Sequence, residues 1–131
     1  MKFKLPKLKK QWGQIPCFLQ LIVEDFDSVA KGMGHEITVT RILDRIEGAT
    51  EVHPEHRAVD VRDVYLGEPT FTPDQRDYLL NYINTKYPRY DGYKTVMWHE
   101  FKGGPSHFHI QVAPTMVVYI SDYLELGLLQ R

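Results

Sequence analysis

Cysteine is all but missing from this chain: Cys17 stands alone among 131 residues. No intrachain disulfide can form, and a structural zinc site built on several cysteines is excluded. An excess of one charge is missing too. The 16 Lys and Arg meet 17 Asp and Glu, for a formal net charge of −1, so no global basic field invites nucleic acid. No stretch approaches the roughly 18 apolar residues of a membrane span. The basic start lacks the long apolar run and small-residue cleavage site of a classical signal peptide. These absences lead us to expect a chain made and folded in the cytosol, acting elsewhere only if released. There is no internal repeat, low-complexity tract or domain boundary. With 43% hydrophobic and 25% charged residues, the length suits one domain, residues 1–131, around one core. A monomer is expected.

What is present reads as alternating helices and strands. Residues 1–13 carry Lys2, Lys4, Lys7, Lys9 and Lys10 and no acid. This basic extension reads as a solvated tail or edge strand, or as a patch drawn to an anionic surface. Trp12 and Gly13 are expected to open the packed domain. Phe18, Ile22, Phe26, Val29 and Met33 recur at steps of three and four, which predicts a helix from Pro16 to Met33, closed by Gly32 or Gly34. Glu36 to Leu43 alternates and is β-branched, as a strand does. Residues 44–56 read as a loop, and Arg57 to Arg62 as a second strand, with Ala58 and Asp60 on one face and Val59 and Val61 on the other. Thr72-Pro73-Asp74-Gln75 is a capping box with proline at the first helical position. Leu79, Tyr82, Ile83 and Tyr87 then give the buried stripe. Thr95–Phe101 and His107–Val112 flank a turn-rich link and predict a hairpin. Residues 114–131 are apolar, with a short helix possible after Ser121. The order of elements predicts an α+β fold with an antiparallel sheet and helices packed against it.

Two histidine blocks carry the chemistry. His107 and His109 are two residues apart on a predicted strand, so both point to one face, while Phe108, Ile110 and Val112 point to the other. About fifty residues upstream, His53 precedes Asp60 by seven positions, in the loop leading into the Asp60 strand. A hydrolytic zinc takes three protein ligands and leaves a position for water. An imidazole, a carboxylate and another imidazole make such a set. Either block alone is common on exposed strands, and the combination is the informative feature. His35 reads as a surface residue at a helix-to-strand corner, and His56 as an outer neighbour of the site or simply exposed.

At these residues the chain resembles the family of zinc D-alanyl-D-alanine carboxypeptidases and L-alanyl-D-glutamate endopeptidases, which share their fold with the amino-terminal domain of hedgehog proteins. The similarity runs over roughly residues 34–113. It rests on His53-Pro54-Glu55-His56-Arg57-Ala58-Val59-Asp60, on His107-Phe108-His109 with Ile110-Gln111-Val112, and on the strand Ile37-Thr38-Val39-Thr40 before the first motif. The resemblance implies that His53, Asp60 and His109 bind zinc. It implies that His107 is a catalytic residue beside the ion and that an arginine, Arg41 or Arg45, holds transition-state or substrate charge. The implied substrate is the peptide part of peptidoglycan, cut by a carboxypeptidase or endopeptidase, as in a phage or prophage lysis enzyme released through a separate pore. Two departures stand out. His56 occupies a usual glycine position. The family's general-base glutamate is not in its usual place, and the nearest acid is Glu100.

Strand register decides what Glu100 does. Pairing of residues 98 and 109 turns Glu100 toward His107, and pairing of 99 and 109 turns His99 toward the metal and Glu100 toward the core. Burying an unpaired carboxylate is costly, which favours Glu100 on the site face as a proton relay with His107. The rival readings are a zinc-holding binding or structural module without the reaction, and exposed histidines with no metal.

Overall fold

Strands with one apolar and one polar face divide this molecule. The computed structural model describes residues 1–42, 58–100 and 105–113. In chain order these form β1 (Lys2–Phe3), α1 (Pro6–Trp12), α2 (Cys17–Gly32), β2 (Thr38–Ile42), β3 (Ala58–Arg62), β4 (Val64–Tyr65), β5 (Glu68–Pro69), α3 (Pro73–Lys86), β6 (Val96–His99) and β7 (His107–Gln111). The sheet order is β1-β2-β3-β7-β6, with β1 parallel to β2 and every other neighbour antiparallel, and β4 pairs with β5 in a separate ribbon. The α+β expectation holds: a single small domain carries a mostly antiparallel sheet with helices against it. Among the described residues no helix is long and apolar enough to cross a membrane.

Val59 and Val61 of β3, Phe108 and Ile110 of β7 and Val96 of β6 share a fully buried cluster with Ile22, Val23 and Phe26 of α2 and Leu79 and Ile83 of α3. Phe108 sits edge-on to Phe26 and Phe71, with ring centroids 5.1 and 5.5 Å apart. Fully burying each such side chain contributes about 1.5–3 kcal/mol. The strand bearing the two histidines therefore has a rigid back.

Both long helices begin and end as their sequences dictate. Thr72 caps α3 by accepting from the Gln75 amide while the Gln75 side chain returns to the Thr72 amide. α2 closes in a Schellman motif, with Gly34 N–H to Lys31 O at 2.9 Å and His35 N–H to Ala30 O at 2.9 Å. Gly34 stands at φ +89, a conformation open to glycine at little cost. The Asn84 amide of α3 then pins β6, donating to Val96 O and accepting from Val96 N–H, both at 3.0 Å.

The basic start agrees with expectation in part: Lys2–Phe3 is an edge strand, β1, and the departure is the helix α1 that follows. Packing begins well before Trp12: Leu8 is 3% exposed and Phe3 stacks edge-on to Trp12. Leu8, Phe3 and Trp12 are a minority among lysines, too few over so short a helix to show a period. The 44–56 loop and the helix after Ser121 lie outside the described residues.

Candidate functional site

The polar face of the sheet is assembled by pairing. Asp60 of β3 lies directly opposite His109 of β7, Ala58 opposite Gln111 and Arg62 opposite His107. Directly paired side chains stand about 5 Å apart at Cβ, and contact follows. His109 Nδ1 is 2.9 Å from Asp60 Oδ1, and His107 Nε2 is 3.6 Å from Asp60 Oδ2. All three side chains are mostly shielded, at 11% exposure for Asp60, 15% for His107 and 13% for His109. The expected facing of these residues is thus the observed one.

β6 brings a third histidine to this face. His99 pairs with His107 and Met97 with His109. The His99 ring centroid is 5.6 Å from both the His107 and the His109 ring. Burial first, and then the neighbouring His109 and His107, hold the His99 imidazole below its usual 6.5, against the pull of Asp60. Its neutral, proton-accepting form is favoured.

Glu100 does not occupy the position the burial argument favoured. It follows the last residue of β6 and is exposed. Neither register weighed above occurs, and the one that does has the parity that turns His99 inward. The cause is on the other face. Val96 is fully buried in the core, and the Trp98 indole N–H donates to the buried Asp63 carboxylate at 2.9 Å. With Val96 and Trp98 committed to that side, Met97 and His99 must face the site. Exposure also spares Glu100 the desolvation cost that had been assigned to it.

A β-bulge sets Arg41. Val39 pairs with Val61 but Arg41 pairs with Asp60, so the register slips by one at Thr40. Unbroken alternation would have turned Arg41 to the core with Ile37 and Val39. The extra residue turns it to the polar face and returns Ile42 to the core, at 3% exposure. Re-aiming a side chain beside a site is a common use of a bulge. The spacing Ile37, Val39, Ile42 was its trace in the sequence. Arg45, His53 and His56 lie outside the described residues. His35 is half-buried, edge-on to Phe71 and hydrogen-bonded to Gln75 Oε1 at 3.1 Å, away from the site.

Gln111 fixes the orientation of His109. Its amide nitrogen donates to Lys94 O at 3.1 Å, which leaves Oε1 to accept from His109 Nε2–H at 3.2 Å. Nδ1 of a neutral His109 then presents a lone pair to the Asp60 carboxylate. Two acceptors 2.9 Å apart need a cation between them, a proton or a metal. This is the arrangement by which metal-ligating histidines are oriented from behind. Among the described residues no three His, Cys, Asp or Glu side chains are arranged to hold one ion. Asp60 and His109 fit two positions of the expected set, and the third, His53, is outside the described residues.

Clefts open on both flanks. One of about 360 Å³ is lined by Asp60, His107, Arg41, Arg62, Lys4 and Tyr65 among others. The other, of about 610 Å³, wraps the outer edge of β6 past Met97, Trp98 and His99. The histidine cluster bridges them, so an extended chain could cross it.

No family profile matches this chain, and no curated protein and no solved structure matches it either.

Proposed function

We propose that this protein is a zinc-dependent peptidase that hydrolyses a peptide bond in the stem or cross-link peptide of peptidoglycan. The observation that carries the proposal is the Asp60–His109 pair, fixed from behind by Gln111, with His107 and His99 beside it between two clefts. Asp60 and His109 would hold the ion, with His53 as third ligand. Zinc bound there would polarise a carbonyl and lower the pKa of a water toward about 7. His99, kept neutral by burial and its neighbours, is suited to take a proton, and His107 to pass it to the leaving amine. Arg41, turned onto this face by the bulge, is suited to the developing oxyanion.

The exposed position of Glu100 favours one rival, a zinc-holding module of the same design that binds without cutting. Two measurements separate the readings. Zinc titration with a chromophoric chelator should give about one ion per chain for the wild type, with binding lost in His53→Ala, Asp60→Ala and His109→Ala. Zymography on cell-wall preparations should then show clearing by zinc-loaded wild type and little by His99→Ala or His107→Ala. A folded protein that takes up no zinc sinks both readings. Zinc uptake with no clearing on several wall chemotypes leaves the binding module.

A further inference from the structure

β6 closes one end of the sheet. β7 lies on one side of it, and among the described residues no strand lies on the other. Such an edge shows backbone N–H and C=O groups that can pair with another chain. Which groups face outward follows from the β6–β7 ladder. Gln111 N–H donates to Thr95 O at 2.8 Å, and bonded pairs recur at every second residue of an antiparallel ladder. Thr95, Met97 and His99 therefore bond to β7, while Val96 and Trp98 turn their backbone groups outward.

Asn84 agrees with this phase. Its side-chain amide donates to Val96 O and accepts from Val96 N–H, both at 3.0 Å. Val96 thus receives from α3 what a neighbouring strand would supply. No such substitute meets Trp98. Among the described residues its outward N–H and C=O have no partner, and the residue lines the 610 Å³ cleft beside Arg76, Tyr93 and His99. The place is also rigid. The Trp98 indole is fixed by its N–H bond to Asp63 at 2.9 Å and by the Arg76 guanidinium, 4.1 Å over the ring centroid. Its backbone is held ready, so little ordering cost opposes a partner there.

We propose that the Trp98 edge of β6 takes an extended peptide as an added strand, recognised through its main chain, and that Asn84 stops this strand from pairing past Val96. The idea rests on the peptidase reading for its meaning but not for its test. Strands stand about 4.8 Å apart, so the added strand lies about 10 Å from His109 on β7. That is too far for a bond within the added strand to be cut there, and the edge holds a flank instead. At about 3.3 Å per residue, the cut bond lies about three residues from the one paired with Trp98. The peptide would leave the edge and cross past His99 to reach it.

The experiment is amide hydrogen exchange and chemical-shift titration of the intact chain with acetyl-Ala-Ala-Ala-Ala-amide, as the all-L and as the alternating L,D peptide. In the free protein the Trp98 N–H should exchange about 10-fold or more faster than those of Val96, Met97 and His99. At millimolar concentration at least one peptide should slow the Trp98 amide and shift its resonance. Two N-methylated isomers of that peptide then test strand pairing. Methyl groups on the first and third alanines leave one edge of the strand clean and should change affinity by about twofold at most. Methyl groups on the second and third spoil both edges and should weaken binding about 3- to 10-fold. Asn84→Ala should open the Val96 amide to exchange and let the peptide protect it as well, with thermal melts checking that the variant folds. A Trp98 amide already slow in the free protein overturns the proposal, whether a second copy covers it, with protection rising with protein concentration, or another part of this chain does. So does binding of neither peptide, or equal binding of the two methylated isomers. His109→Ala separates the two ideas. Protection of Trp98 by peptide in a His109→Ala chain, together with a wild type that neither holds zinc nor cuts, upholds the strand site and removes the peptidase. Zinc-dependent cutting by wild type with no effect of peptide on Trp98 does the reverse.

Discussion

Replacing Asp63 by alanine should unlatch β6 from the rest of the sheet. Asp63 is 1% exposed. Its Oδ1 accepts the Phe71 amide at 3.3 Å, and its Oδ2 accepts the Trp98 indole N–H at 2.9 Å. Alanine strands both donors. The Phe71 amide is buried, so its loss costs about 2 kcal/mol, and the partly buried indole adds about 1 kcal/mol. Removing the carboxylate relieves part of its own burial cost, which leaves a net loss of about 2–3 kcal/mol. For a chain of this length that is a fall in Tm of roughly 6–12 °C. Asp63→Asn keeps an oxygen for Phe71 but sets an amide NH2 against the indole, and should lose about 1–2 kcal/mol. Urea unfolding followed by tryptophan fluorescence reads both variants. Since Trp98 is what commits β6 to its register, the His99 ring resonances should shift in Asp63→Ala. Stability of the alanine variant within about 0.5 kcal/mol of wild type would refute the reasoning, as would an asparagine variant no better than alanine.

Two further outcomes follow from the same structure. Gln111→Leu should weaken zinc binding about 10- to 100-fold, and Gln111→Asn, too short to reach His109, should not rescue it. An unchanged zinc affinity in competition with a chelator would remove Gln111 from the site. Asp25, half-buried between α2 and α3, feels burial pushing its pKa up, but hydrogen bonds from Lys86, Tyr87 and Tyr82 outweigh it and hold the carboxyl below its usual 3.8. A folded-state value below the unfolded one means stability that is present above about pH 4 and lost as the pH falls through the lowered value. Asp25→Asn should therefore flatten the loss of stability as the pH falls below about 4, measured by urea midpoints, and parallel curves would contradict this.

Much of this was legible in the chain because local rules and burial agreed. The capping box at Thr72, the α2 stripe and the alternation of β3 and β7 each predicted an element or a facing that the fold keeps. Asp60 and His109 meet because two independently read faces turn out to be paired strands. What was not legible depends on long-range commitments. The β6 register is set by the Trp98 bond to Asp63, 35 residues away, and so Glu100 gave way to His99. Arg41 faces the site through a bulge that a simple period of two cannot express. Lys4 and Arg62 join the cleft through strand order, which no motif spells out.

The central claim is hydrolysis of a wall peptide by zinc held at Asp60 and His109, and the most direct test is chemical. Purified cell walls are digested with zinc-loaded protein, and newly freed amino and carboxyl termini are identified by mass spectrometry. The account predicts a single new pair of termini. That pair should disappear on chelation, return with added zinc, and be missing with His109→Ala. Folded, zinc-loaded wild type that frees no new termini would contradict it.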